Sequence, residues 1–217
     1  MNFLTGIKNF YNKKMRPLLL LLLTLISFHS FSQIKIPENY EELSESPANG
    51  RKMNKLSTDF DADGKNDIAL IIKCEKDFSK YFLLIYLTSD TKTYRLEFIN
   101  EDDMSVYPVQ LEQKKNVITA GYFKDGTAAF GRFFKLRYNK SQKKIQLIGY
   151  DSGYRISAAG HCDKTFNLLT GDYNVKILTA LPENHKGNKK ISPVFIQDIN
   201  ISMISKLDKI GSEFESQ

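Results

Sequence analysis

From residue 57 onward, apolar and polar positions alternate with a period of two, the pattern of half-buried strands rather than of helices. Residues 68–72 (IALII) are apolar on both faces, and Cys74 continues the face of Ile68, Leu70 and Ile72. Residues 81–87 (YFLLIYL) are apolar throughout, so both segments read as central strands covered on two sides. In residues 93–99, Tyr94, Leu96 and Phe98 alternate with Arg95 and Glu97, which suits a strand with one solvated face. Residues 117–123 and 128–138 flank Lys124-Asp125-Gly126-Thr127, a hairpin with a D-G turn. Asn139-Lys140-Ser141-Gln142 turns the chain into a strand at 144–150, and Gly171-Asp172 joins strands at 165–170 and 173–179.

Helical signals are few. Residues 37–43 place Pro37 near the first turn of what would be a short helix. Ser46-Pro47-Ala48-Asn49-Gly50 is a turn, and residues 182–190 form a polar loop. Residues 192–207 fit two patterns: Phe195, Ile199 and Met203 share a helix face, whereas Gln197, Ile199, Ile201 and Met203 would line one side of a strand. Eight or nine short strands joined by tight turns predict an all-β fold, mostly antiparallel, as a meander or small sandwich with little helix. The β-rich domain is expected over 57–217, after an irregular segment at 33–56.

The first 32 residues differ in character. Lys8, Lys13, Lys14 and Arg16 precede an apolar run at 18–28, followed by Ser30 and Ser32 at the small-residue positions of a cleavage site. That run is about half the ~20 residues needed to span a bilayer, so a secretory signal peptide is expected, cut near Ser32 and Gln33. No cysteine follows the run, which closes the lipoprotein route. The expected product is periplasmic or secreted, with no transmembrane helix after cleavage. The address also carries four of the basic residues and none of the acids, so its removal lowers the net charge from +6 to +2.

Chemistry concentrates in Asp59-Phe60-Asp61-Ala62-Asp63-Gly64-Lys65-Asn66-Asp67. Carboxylates at relative positions 1, 3, 5 and 9 repel one another unless a cation sits among them. Oxygen donors at this density suit Ca²⁺, which takes 6–8 of them in flexible geometry. Gly64 permits the sharp turn, and the main-chain carbonyl of Lys65 would complete the ring of Asp59, Asp61, Asp63 and Asp67. Position 12, where an EF-hand places a bidentate Glu, is Leu70, and a strand follows instead of a helix. The pattern D-x-D-x-D-G-x-x-D leading into Ile68 and an aliphatic run resembles the calcium loops of FG-GAP and VCBS-type repeats. That resemblance implies a structural calcium ion. It covers about 20 residues and occurs once, in a chain too short for a propeller of at least four ~40–45-residue blades. Segments 134–138, 146–150 and 166–171 also look like a group of secreted bacterial proteins in which one such loop precedes a run of hairpins.

Two cysteines exclude a multi-disulfide scaffold and a Cys₄ zinc site. In an oxidising compartment Cys74 and Cys162 could pair, or remain separate buried thiols. His161-Cys162-Asp163 does not make a nucleophilic dyad, because neighbours on an extended chain point apart. His185 reads as a solvated loop residue, and Glu101-Asp102-Asp103 as a solvated turn. In Arg132-Phe133-Phe134-Lys135-Leu136-Arg137-Tyr138, strand alternation puts Phe134, Leu136 and Tyr138 on one face and Phe133, Lys135 and Arg137 on the other. With a net charge near +2, no nucleic-acid partner is expected. The chain reads as an exported, non-catalytic, calcium-stabilised β protein that binds an unknown protein or glycan. The alternatives are a secreted inhibitor that protects against a partner enzyme, working through a strand edge, and a glycan-active hydrolase with scattered carboxylates.

Overall fold

A computed structural model of the chain describes residues 34–98 and 104–215. The expected signal peptide and the Glu101-Asp102-Asp103 turn lie outside the described residues. The chain builds two antiparallel sheets. The first contains β1 (Tyr40–Glu42), β2 (Leu56–Thr58), β3 (Asp67–Cys74), β4 (Tyr81–Leu87) and β5 (Lys92–Glu97), in the order β1-β3-β4-β5, with β2 on the same edge of β3 as β1. The second contains β6 (Val109–Lys114), β7 (Val117–Lys124), β8 (Phe130–Asn139), β9 (Lys144–Arg155), β10 (His161–Asn167), β11 (Asp172–Leu178) and β12 (Glu183–Asn188), paired in sequence order as a meander. A two-residue strand, β13 (Val194–Phe195), pairs with β9 beside the point where β10 ends. The all-β, mostly antiparallel expectation is met.

One core joins the sheets. Ala69, Ile71, Leu83, Ile85, Tyr94 and Phe98 from the first meet Ile118, Tyr122, Phe134, Leu136, Leu147, Tyr150 and Phe166 from the second. Phe98 stacks on Phe134 at 6.4 Å between ring centroids, a direct bridge between the sheets. The opposite face of β3 and β4 is apolar as well, and Leu70, Ile72, Phe82 and Leu84 are covered there by Ile34, Ile36 and Tyr40. The double-sided strands of the sequence are therefore covered on both sides, in part by the segment before them.

Several elements differ from expectation. Residues 40–42, read as part of a helix, form β1, because β3 offers an unpaired edge that hydrogen-bonds the segment from Tyr40↔Cys74 to Glu42↔Ile72. Residues 183–188, read as a loop, form edge strand β12. Its polar composition suits an edge that must not recruit another chain, while His185 and Gly187 face inward against Phe214 and Tyr173. β9 runs past the expected end at 150 to Arg155, where it pairs with β8 and β10, and a bulge skips Ile148: Lys135 pairs with Gly149, but Leu136 pairs with Leu147. Inward-facing residues change from odd (Ile145, Leu147) to even (Tyr150, Ser152) across it. The ambiguous 192–207 segment divides into β13, a 3₁₀ turn at Ile196–Asp198 and helix α1 (Ile201–Asp208). Asn200 caps α1 by accepting the Met203 N–H at 3.0 Å. Ile204 and Leu207 pack into the core. Among the described residues, no helix is long and apolar enough to cross a membrane.

Candidate metal centre

The acidic loop is the connection of the β2–β3 hairpin. Thr58 pairs with Asp67, so the register itself sets Asp59 beside Asp67. Phe60 is buried and pins the loop to the core, which turns its neighbours Asp59 and Asp61 the other way. Two left-handed residues wrap the chain: Gly64 at φ 90°, as its position in the motif requires, and Ala62 at φ 63°, which the sequence did not signal.

One oxygen each from Asp59, Asp61 and Asp67 lies within 4.8 Å of the other two, so a single metal ion can touch all three. Asp67 is fully buried. One of its oxygens accepts the Phe60 N–H at 2.8 Å; the other accepts the Thr88 N–H at 2.8 Å and its hydroxyl at 3.1 Å. Asp61 accepts the Ser89 hydroxyl at 2.5 Å and the Asp63 N–H at 3.1 Å. Asp59 accepts the N–H groups of Gly64 at 2.9 Å and Asp63 at 3.1 Å. Asp63 and Lys65 sit differently from the other members of the motif. Both are exposed, and the Asp63 carboxylate turns back to accept the Lys65 N–H at 2.8 Å. Thr88 and Ser89 come from the β4–β5 turn, more than twenty positions away in sequence, and nothing in the local motif points to them.

The electrostatics favour a cation. Burial pushes the Asp67 carboxyl above its ordinary value despite the Thr88 and Phe60 N–H groups, and the charge of Asp61 adds to the rise. The Gly64 N–H holds the Asp59 carboxyl below the usual range. The field of the loop reaches Tyr138, whose phenol is raised first by burial and then by Asp61. Among the described residues, none of these carboxylates forms an ion pair with a lysine or arginine. A cluster of hard anionic oxygens without a protein counter-charge fits a hard metal ion.

Gly64→Ala isolates the backbone requirement. An added Cβ would meet nothing within 4 Å. The cost should therefore be conformational alone, about 1–2 kcal/mol of unfolding free energy in a urea titration. A loss below a few tenths would mean that the turn relaxes without glycine.

The other residues singled out by sequence do not join this cluster. Cys74 ends β3 in the first sheet, and Cys162 is buried on β10 in the second; both are thiols, and no disulfide joins them. Strand alternation separates His161 and Asp163 from Cys162: their side chains bond across the outer face at 2.8 Å while Cys162 packs inward with Val175 and Ile177. His185 is half-buried rather than solvated, stacked on Phe214 at 4.3 Å and bonded to Glu183 at 2.7 Å. Phe134 and Leu136 are buried and Phe133, Lys135 and Arg137 only partly so, as alternation requires. No protein-family model, curated protein or solved structure matches the chain.

Proposed function

We propose that the protein is an exported β-sandwich whose acidic loop binds a structural calcium ion, and that it serves as a binding module at or beyond the cell envelope rather than as an enzyme. The observation that carries the calcium reading is the convergence of Asp59, Asp61 and buried Asp67 without a cationic side chain. Oxygens on opposite sides of a calcium ion at ~2.4 Å stand ~4.8 Å apart, so three oxygens that all lie within 4.8 Å of one another can share one such ion. The ion would tie the β2–β3 hairpin to the β4–β5 turn through Asp67–Thr88 and Asp61–Ser89. The single D-x-D-x-D-G-x-x-D loop, similar to FG-GAP and VCBS loops, supports this reading, and the basic-then-apolar first segment supports export.

Thermal melting in calcium and in chelator tests the ion. At tenfold excess over the dissociation constant, calcium should stabilise the fold by about 1.4 kcal/mol. For a domain of this size that raises the melting temperature by about 3–6 °C. Asp59→Asn with Asp61→Asn keeps hydrogen-bond acceptors but removes two charges, and should abolish the shift. An unchanged melting curve in calcium, or an equal shift in the double variant, rejects the calcium site. Export is rejected if the protein recovered from its cell still begins at Met1.

A further inference from the structure

We propose that the outer face of the second sheet is a glycan-binding trough, taking a neutral oligosaccharide across strands β8 to β12. This deepens the reading of the chain as a binding module and rests on it, but not on the calcium loop.

The face is organised in rows by the strand register. Phe133 on β8 pairs with Asp151 on β9, then Thr165 on β10, Asn174 on β11 and Lys186 on β12. The row beside it runs from Phe123 on β7 through Gly131 and Gly153 to Asp163 and Lys176. Across these strands each row runs from an aromatic ring past acids or amides to a lysine, and the second continues to Asn184 on β12. Two depressions of about 620 and 330 Å³ lie on this face and share Asp151, Thr165 and Asn174.

Glycines shape the aromatic end. A Cβ on Gly121 would stand 2.8 Å from the Phe133 ring, and one on Gly153 would stand 3.0 Å from Phe123. A side chain at Gly153 would displace the Phe123 ring, while one at Gly121 would collide first with the Arg132 carbonyl at 2.1 Å, so Phe133 packs where its strand runs close to β7. Phe123 reaches across Gly131 to Gly153, where His161 meets it edge-on at 5.9 Å. A ring lying on a sheet offers its face, the surface on which the apolar face of a sugar ring packs.

The middle of the trough wants donors. One carboxylate oxygen of Asp151 bonds Lys135 at 2.5 Å, but Oδ1 is shut off from solvent and has no hydrogen-bond partner. Asn174 Oδ1 is in the same state, two strands away in the same row. A buried acceptor left unpaired is costly, and rotation of either side chain into the adjoining depression would present it to a hydroxyl donor. Charge narrows the class. Lys135, Lys176 and Lys186 are balanced by Asp151, Asp163 and Asp172 around the two depressions, and Lys164, the fourth lysine there, is paired with Glu215 on the inner side, so the face matches a neutral polyhydroxylated ligand better than a polyanion.

The test titrates the purified protein with neutral hexasaccharides of β-1,4-glucose, β-1,4-xylose, α-1,4-glucose and β-1,4-N-acetylglucosamine, with heparin as the polyanion, while amide NMR shifts are recorded. At least one neutral hexasaccharide should bind, with shifts centred on Phe133, Asp151, Thr165 and Asn174. Phe133→Ala and Asp151→Ala should each weaken binding about tenfold or more while the melting transition persists. The proposal is overturned if no neutral hexasaccharide binds at millimolar concentration, if heparin alone binds, if the shifts fall elsewhere, or if both variants bind normally. NMR mapping on the unmutated protein decides the point even if a variant folds poorly. Sugar binding without a calcium response rejects the calcium site and keeps the trough; a calcium response without sugar binding does the reverse.

Discussion

Phe134→Ala should lower the unfolding free energy by about 3–5 kcal/mol, a major fraction of the stability of a domain this size. Phe134 is fully buried on β8, between its partners β7 and β9. Its ring stacks on Phe98 of the opposite sheet at 6.4 Å and meets Tyr150 at 5.5 Å. Truncation would open a cavity lined by rings from both sheets. Those rings cannot close over it, because each is held by its own strand and by further aromatic neighbours such as Tyr122. The predicted signature in urea is a lower midpoint with an unchanged slope, since the surface exposed on unfolding stays the same. A loss under 1 kcal/mol would mean that the sheets move together to fill the space and are not held apart by the remaining core.

Asp208→Ala should cost about 3 kcal/mol for a different reason. Asp208 ends α1 and docks the helix on the second sheet. One carboxylate oxygen takes the Arg132 guanidinium at 2.8 Å and the other the Tyr150 hydroxyl at 2.5 Å. Its main-chain carbonyl accepts Lys164 Nζ at 2.7 Å. The Arg132 side chain is only 15% exposed, so removing the carboxylate takes a charge-compensating partner from a largely desolvated cation. Burial raises the Tyr150 phenol, and the Asp208 charge raises it further, which keeps the hydroxyl protonated as the donor. Asp208→Asn keeps an acceptor and should lose less. Adding Arg132→Met to Asp208→Ala should restore part of the stability, because the largely buried charge is removed along with its carboxylate. If the double variant is less stable than Asp208→Ala alone, packing by the arginine stem outweighs its charge.

Much of this was legible along the chain because local patterns carried it. The β-branched run at 68–72 and the apolar 81–87 segment are strands β3 and β4, and two-sided apolarity placed them correctly between two layers. Alternation assigned the two faces of residues 133–137 correctly. Gly126 and Gly171 do lie in hairpin connections at positive φ, 97° and 84°, but Asp125 is not left-handed as a two-residue D-G turn requires, and the loops span 125–129 and 168–171. Spacing alone also located the acidic loop, since the hairpin that closes it is local.

What escaped was set by partners distant in sequence. Tyr40–Glu42 is a strand because an edge of β3 is available to it, and β12 is a strand because β11 ends the sheet beside it. The bulge at Ile148 reverses which residues of β9 face the core, and period-two reading cannot see an extra residue. In the candidate metal centre, the spacing nominated Asp59, Asp61, Asp63, Asp67 and Lys65 on equal terms. The fold brings Asp59, Asp61 and Asp67 together and leaves the Asp63 carboxylate accepting the Lys65 N–H, with Thr88 and Ser89 supplied by another turn.

The sequence by itself therefore determined the class of structure, the positions of most strands, their buried faces and the place where oxygen donors concentrate, because each follows from side-chain alternation or from spacing within about a dozen residues. Only the tertiary structure decided how the strands divide between two sheets, which carboxylates converge, and that Phe133, Asp151, Thr165, Asn174 and Lys186 stand in one row. Those outcomes depend on register between strands and on contact between sheets, and hydrogen-bond pairing across the chain sets both.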